Sequence, residues 1–141
     1  MQIPTRYRAV FGGLLFWCTT ILIQGTPIDV LPATMEGALQ PQVAVGEDGT
    51  VFIAFGKGEE IYVTASVNLS GPFQAPQRVG RLPKLALGMR RGPRIAISGQ
   101  AVTVIAANNS DLFSYRSDDA GRTWSAAVRI NNVVSSAREG L

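Results

Sequence analysis

An all-β chain made of two copies of one four-stranded unit is the fold class this sequence predicts, on three observations. Short blocks recur at a displacement of 51 to 52 residues. Apolar side chains alternate with a period of two inside those blocks, and no segment carries a convincing helical period. Internal repetition at such a distance marks a chain assembled from supersecondary units that cover one another's apolar faces. With 141 residues and 15.1 kDa there is room for one domain.

Taken in chain order, residues 1–25 read as a secretory signal peptide. Residues 1–8 carry Arg6 and Arg8 and no acid, and residues 9–23 carry no charge. The alternative is a short membrane anchor, but Thr19 and Thr20 interrupt an apolar run that falls short of the roughly 20 residues of a spanning helix. Gly25 is the best residue for the position before a cut. The expected location is secreted, either periplasmic or extracellular, with membrane contact only through an uncleaved N-terminal segment. Cys18, the sole cysteine, lies in the apolar run, and the chain has no histidine. These counts exclude a Ser-His-Asp triad, a Cys-His pair, a His-ligated zinc and an internal disulfide. Without Arg6 and Arg8 the balance is eleven basic to ten acidic residues, so no nucleic-acid partner is expected.

Residues 26–40 form a linker, with residues 28–31 able to serve as a closing strand. The first unit spans 41–80, with strands expected near 41–45, 51–55, 61–66 and 73–79. Val51, Ile53 and Phe55 recur at every second position, as do Ile61, Val63 and Ala65, and Asp48-Gly49 marks a hairpin turn. Residues 81–92 make a basic connector. The second unit, 93–130, repeats the first: Pro41-Gln42-Val43-Ala44-Val45 returns as Pro93-Arg94-Ile95-Ala96-Ile97. Likewise Phe73-Gln74-Ala75-Pro76-Gln77-Arg78-Val79 returns as Trp124-Ser125-Ala126-Ala127-Val128-Arg129-Ile130. Four short strands per unit of about 40–50 residues is the pattern of a β-propeller blade, with an eight-stranded β-sandwich as the alternative. Residues 131–141 read as a connector toward a third blade.

Ser117-Asp118-Asp119-Ala120-Gly121-Arg122-Thr123-Trp124 fits Ser-x-Asp-x-Gly-x-Thr-Trp at every fixed position. This stretch resembles the Asp-box, or bacterial neuraminidase repeat. Its degenerate twin, displaced by 51, keeps Ser66 and the aromatic Phe73, has Asn68 in place of the aspartate, and shifts the glycine by one. The residue types suit a hairpin. Asp119 can accept backbone N–H groups across the turn, Gly121 tolerates a left-handed conformation, and the Ser117 and Thr123 hydroxyls can bridge the arms. Trp124 offers a large surface for burial beside the next sheet. Asp118 and Asp119 do not suit a catalytic pair, since neighbours on a strand point to opposite faces.

The match, over roughly residues 41–130, resembles sialidases and sialidase-like secreted proteins. The resemblance implies two blades of a six-bladed propeller with substrate at the central axis. In that family three arginines hold the sialic acid carboxylate, a Tyr–Glu pair supplies the nucleophile, and an Asp is the acid/base. Arg90, Arg91 and Arg94 are the candidates here for a substrate carboxylate, since a guanidinium pairs with it through two hydrogen bonds. A solvated inter-blade linker is the plainer reading of that basic stretch. The family's arginine before Ile-Pro is not reproduced, because Ala96 follows Arg94-Ile95. Tyr62, Tyr115, Asp111 and Glu139 have suitable chemistry, but nothing in the sequence fixes their partners, so the catalytic residues stay unassigned. Asn68-Leu69-Ser70 and Asn108-Asn109-Ser110 match glycosylation sequons. No metal-ligand cluster, phosphate-binding glycine loop or nucleotide fingerprint calls for a cofactor or metal.

Propellers have roughly four to eight blades, and the next inner strand would fall beyond Leu141. The expectation is therefore a truncated, secreted, sialidase-like chain that is inactive alone, from a parent that binds or cleaves sialylated or other glycans. One alternative is a two-blade lectin-like module whose copies associate through open blade edges into a closed ring. The other is a non-catalytic secreted scaffold.

Overall fold

A computed structural model describes residues 28–89, 91–108 and 110–137. The expected signal segment, Gly25, Cys18, Arg90 and Glu139 lie outside them. The described chain is all-β apart from one 3-10 turn at Ala33–Met35. Eight strands follow in order: β1 Leu39–Val45, β2 Val51–Lys57, β3 Glu60–Ser66, β4 Gln77–Arg81, β5 Arg94–Ser98, β6 Ala101–Ala107, β7 Leu112–Ser117 and β8 Val128–Arg129. They form two four-stranded antiparallel sheets, each made of consecutive strands, β1-β2-β3-β4 and β5-β6-β7-β8.

The turns explain why each unit folds back on itself. In the β1–β2 turn, Asp48 Oδ1 accepts the Thr50 amide at 3.0 Å and Oδ2 accepts the Thr50 hydroxyl at 2.9 Å, while Gly49 takes φ +83°. The β5–β6 turn is shorter: Ser98 pairs with Ala101, leaving only Gly99 and Gln100 between the strands. That difference accounts for the one-residue change in the repeat distance. The fourth strand starts at Gln77 rather than at Phe73. Pro72 and Pro76 flank that stretch and have no N–H to give a ladder, while Phe73 leaves the sheet plane to pack with Val51, Ile53 and Phe55.

Register assigns every side chain to a face. In the first sheet Phe52 opposes Ala65, and Ala54 opposes Val63, on what is here termed the forward face. Val51, Ile53 and Phe55 oppose Ser66, Thr64 and Tyr62 on the rear face. In the second sheet Val102 opposes Ser117 and Val104 opposes Tyr115 on the rear face. The main core joins the forward face of the first sheet to the rear face of the second: Phe52, Ala54, Ile61 and Val63 pack with Val102, Val104, Ala106 and Tyr115. Burial of each large side chain there contributes about 1.5–3 kcal/mol. Strands β1 and β5 approach within 8 Å, Cα to Cα. Where they meet the fit is close, since a Cβ on Gly92 would collide with Gln40 Cβ, and Gln40 itself has φ +56° at the β1 bulge.

The rear face of the first sheet is covered by the chain that leads into it: Val30, Leu31, Met35 and Ala38 pack on Val51, Ile53 and Phe55. Residues 28–31 form no strand. On the forward face of the second sheet, Thr103, Ile105 and Ser114 are half-buried, Arg116 is exposed, and Val128 is 58% exposed.

Candidate functional site

Two ends of the sheets carry the chemistry singled out by the sequence. The Asp-box lies at one, between β7 and β8, and its hydrogen bonds form a closed set. The Ser117 hydroxyl donates to Asp119 Oδ1 at 2.7 Å and accepts the Gly121 amide at 2.8 Å. Asp119 also accepts from Thr123 twice, the amide on Oδ1 at 2.9 Å and the hydroxyl on Oδ2 at 2.6 Å. These donors, Thr123 first and then Ser117, hold the Asp119 carboxyl far below the ordinary carboxylate range. Ala120 and Gly121 both take positive φ, +57° and +84°. The Ala120 amide donates to Gln100 O at 2.8 Å, tying the loop to the β5–β6 turn.

Asp118 points away from this set and pairs with Arg116 at 2.7 Å on the exposed side. The two aspartates therefore share no reaction centre. Trp124 packs against the core shared with the first sheet, thus against the preceding sheet rather than a following one. There it joins Val102, Val104 and Tyr115 on the covered rear face of the second sheet. Its Nε1 is buried without a hydrogen-bond partner.

In the degenerate box the hydroxyl of Ser66 donates to Asn68 O at 2.8 Å, and Asn68 Oδ1 accepts the Ser70 amide at 2.9 Å. Asn68 thus turns to its own loop instead of bridging the arms. One bond survives in both units at the same length: Gln74 N to Ala65 O and Ser125 N to Arg116 O, each 2.8 Å.

The opposite end gathers the β2–β3 turn, the connector after β4 and the start of β5. Arg91 is exposed and makes an isolated bridge with Gly88, and Arg94 opens β5 half-buried, with its Cα opposite Ile105. Arg90 is outside the described residues. Nearby, Glu59 accepts Arg81 at 2.8 Å and the Lys84 amide at 2.9 Å. Asp111 accepts Asn131 Nδ2 at 2.7 Å and the Ser135 amide at 2.8 Å, which pins residues 131–136 to the start of β7.

A pairing the sequence left open is that of Tyr62. Its hydroxyl donates to Glu60 Oε2 at 2.5 Å, and Glu60 Oε1 accepts Arg78 Nη1 at 3.0 Å. Glu60 and Tyr62 share the rear face at a spacing of two along β3, and Arg78 is the Cα partner of Tyr62 across the ladder. The ring of Tyr62 stacks on Phe55 with centroids 5.7 Å apart. The bond to Glu60, then burial, raises the Tyr62 pKa above 10.0, and Tyr62 followed by Arg78 lowers that of Glu60. A phenol held this way is a donor, and it ionises less readily than a free tyrosine. The period-two spacing of Glu60 and Tyr62 was the available signal for this pair. Tyr115, in the core, donates weakly to Arg81 O at 3.5 Å, and burial raises its pKa.

Among the described residues no group of three His, Cys, Asp or Glu side chains could hold a metal ion. None of their helices is long and apolar enough to cross a membrane. No protein-family model matches the chain, and no match was found among the curated proteins.

Proposed function

We propose that the two sheets are consecutive blades of a sialidase-like β-propeller, exported from the cell, whose complete ring binds or cleaves glycans. The observation that carries this reading is the Asp-box, with Ser117, Asp119, Gly121 and Thr123 joined in one hydrogen-bonded turn. The topology supports it against a β-sandwich. Each sheet uses four consecutive strands, and the interface joins unlike faces, forward on rear. A sandwich joins two inner faces and exchanges strands between its sheets.

In this reading the Asp-box is a folding device, and glycan contact belongs at the opposite end, near the axis-facing strands β1 and β5. Arg91 and Arg94 are the described residues there whose guanidinium groups suit a sugar carboxylate. Two blades supply only part of such a site, so the chain by itself is expected to hydrolyse no sialoside. The test is to titrate the purified chain with a sialylated trisaccharide and with its sialic acid methyl ester, and to assay a chromogenic sialoside in parallel. The reading predicts weak binding that needs the carboxylate and falls in Arg91→Ala and Arg94→Ala, with no hydrolysis. Binding indifferent to the carboxylate, or no binding at all, would overturn the glycan assignment. Hydrolysis would overturn the assignment of incomplete catalytic machinery.

A further inference from the structure

The rear faces of the two sheets are covered in different ways. On the second sheet, the cover is the forward face of the first, through Phe52, Ala54, Ile61 and Val63. On the first sheet, the same place is taken by Val30, Leu31, Met35 and Ala38. Residues 28–38 therefore stand where the repeat would put a preceding sheet.

This cover is incomplete. Val43 and Val45, on the same face of β1, remain 59% and 56% exposed. An open groove of about 390 Å³ separates residues 29–33 from Phe73, Gln74 and Ala75. Side-chain anchoring to the sheet includes one polar contact, Lys57 Nζ donating to Thr34 O at 2.7 Å. At the other end of the stack, the forward face of the second sheet presents Ile105 and Leu112 half-buried, with Val128 and Ile130 58% and 47% exposed. The chain thus has an open forward face on the second sheet and a loosely covered rear face on the first, at the repeat positions of the two faces that meet between its sheets and suited to a heterologous contact.

We propose that residues 28–38 are a releasable strap that guards the rear face of the first sheet against the forward face of a second copy of this chain. Release of the strap lets copies join head to tail through a repeat of the interface already present between the two sheets. The proposal rests on the stacked-blade reading above and adds its regulation. Its occupant is a second copy because the open forward face of the second sheet stands at the repeat position of the first sheet's forward face, which covers a rear face of the same repeat within the chain.

The test is cross-linking of the full chain in mild detergent, with Cys18→Ser removing the native thiol. Val43→Cys and Ala96→Cys, which point away from each other within one chain, are treated together with a short bismaleimide. With the strap intact, little intermolecular product is expected. Leu31→Asp, which unseats the strap, should raise the yield several-fold as a ladder, and Lys57→Met should act in the same sense more weakly. Chains with either cysteine alone should give no ladder. Unchanged yield in both strap variants that retain β-type circular dichroism would overturn the proposal, and so would equal cross-linking of single-cysteine chains. An intramolecular cross-link between Ala44→Cys and Ile97→Cys separates the two readings. If it forms without the ladder, the strap proposal fails and the stacking stands; if neither forms, the stacking fails too.

Discussion

Gly121 in the second sheet lies against the edge of the Phe52 ring in the first: a Cβ built on Gly121 would stand 3.5 Å from Phe52 Cε1. The Asp-box turn is thereby part of the contact between the sheets as well as the closure of its own hairpin. Space is ordinary at that distance, so the cost of a side chain at 121 comes from φ +84°. Gly121→Ala should destabilise the fold by about 1–2 kcal/mol, read by chemical denaturation. Phe52→Ala, which opens a void in the shared core, should cost about 3–5 kcal/mol. Both should shift one transition, not two.

A second close approach tests the same interface from the other sheet. A Cβ on Gly80, in β4, would stand 2.5 Å from Tyr115 Cε1 in β7. Tyr115 is 2% exposed and cannot swing out. Gly80→Ala should cost about 1–3 kcal/mol by overpacking, and the paired change Gly80→Ala with Tyr115→Leu should recover part of it.

Asp119 gives the acid response. Its folded pKa is lowered by the Thr123 and Ser117 donors from an unfolded value near 3.8. The folded state therefore favours the carboxylate, and its contribution is fully present above pH 3.8 and is lost as pH falls toward and through the lower folded value. Asp119→Asn should lower the melting temperature by several degrees at pH 7. The gap to the parent chain should narrow steadily below about pH 4, and a gap that is constant with pH would contradict the assignment.

Tyr62 responds in the opposite direction. Glu60 raises its folded pKa above 10.0, so its contribution is fully present below pH 10 and is lost as pH rises through the folded value. Phenolate absorbance should show Tyr62 and Tyr115 both titrating late, and Glu60→Gln should bring Tyr62 alone back toward the ordinary value. Substitution of Arg78 should move it little, because the Arg78 guanidinium acts mainly on Glu60.

The sequence made the sheets legible because two signals coincided. Period-two alternation places Val51, Ile53 and Phe55 on one face, and the 51-residue repeat assigns the same pattern to the second unit. The Asp-box-like turn was legible for a stronger reason, since Ser117, Asp119, Gly121 and Thr123 each make a specific bond in it. What escaped depends on contacts distant in sequence. That Val30 and Leu31 cover the first sheet's rear face follows from which face is left vacant, and alternation says nothing about that. Trp124 was expected against a following sheet and packs against the preceding one, because it lies outside the strands and nothing local says which neighbour its turn will meet. Phe73 was placed on a strand, but it turns onto Val51, Ile53 and Phe55, and the paired strand starts only at Gln77, as its equivalent starts at Val128.

The measurement that tests the account most directly is the nuclear Overhauser spectrum of the chain between aromatic side chains and glycine α-protons. Stacking of the first sheet's forward face on the second sheet's rear face predicts cross-peaks from the Phe52 ring to Gly121 and from the Tyr115 ring to Gly80. Each pair joins different sheets across the same interface. Absence of both, in a spectrum that still shows the β1–β2 and β6–β7 ladders, would mean that the sheets form without stacking in this way and would contradict the account.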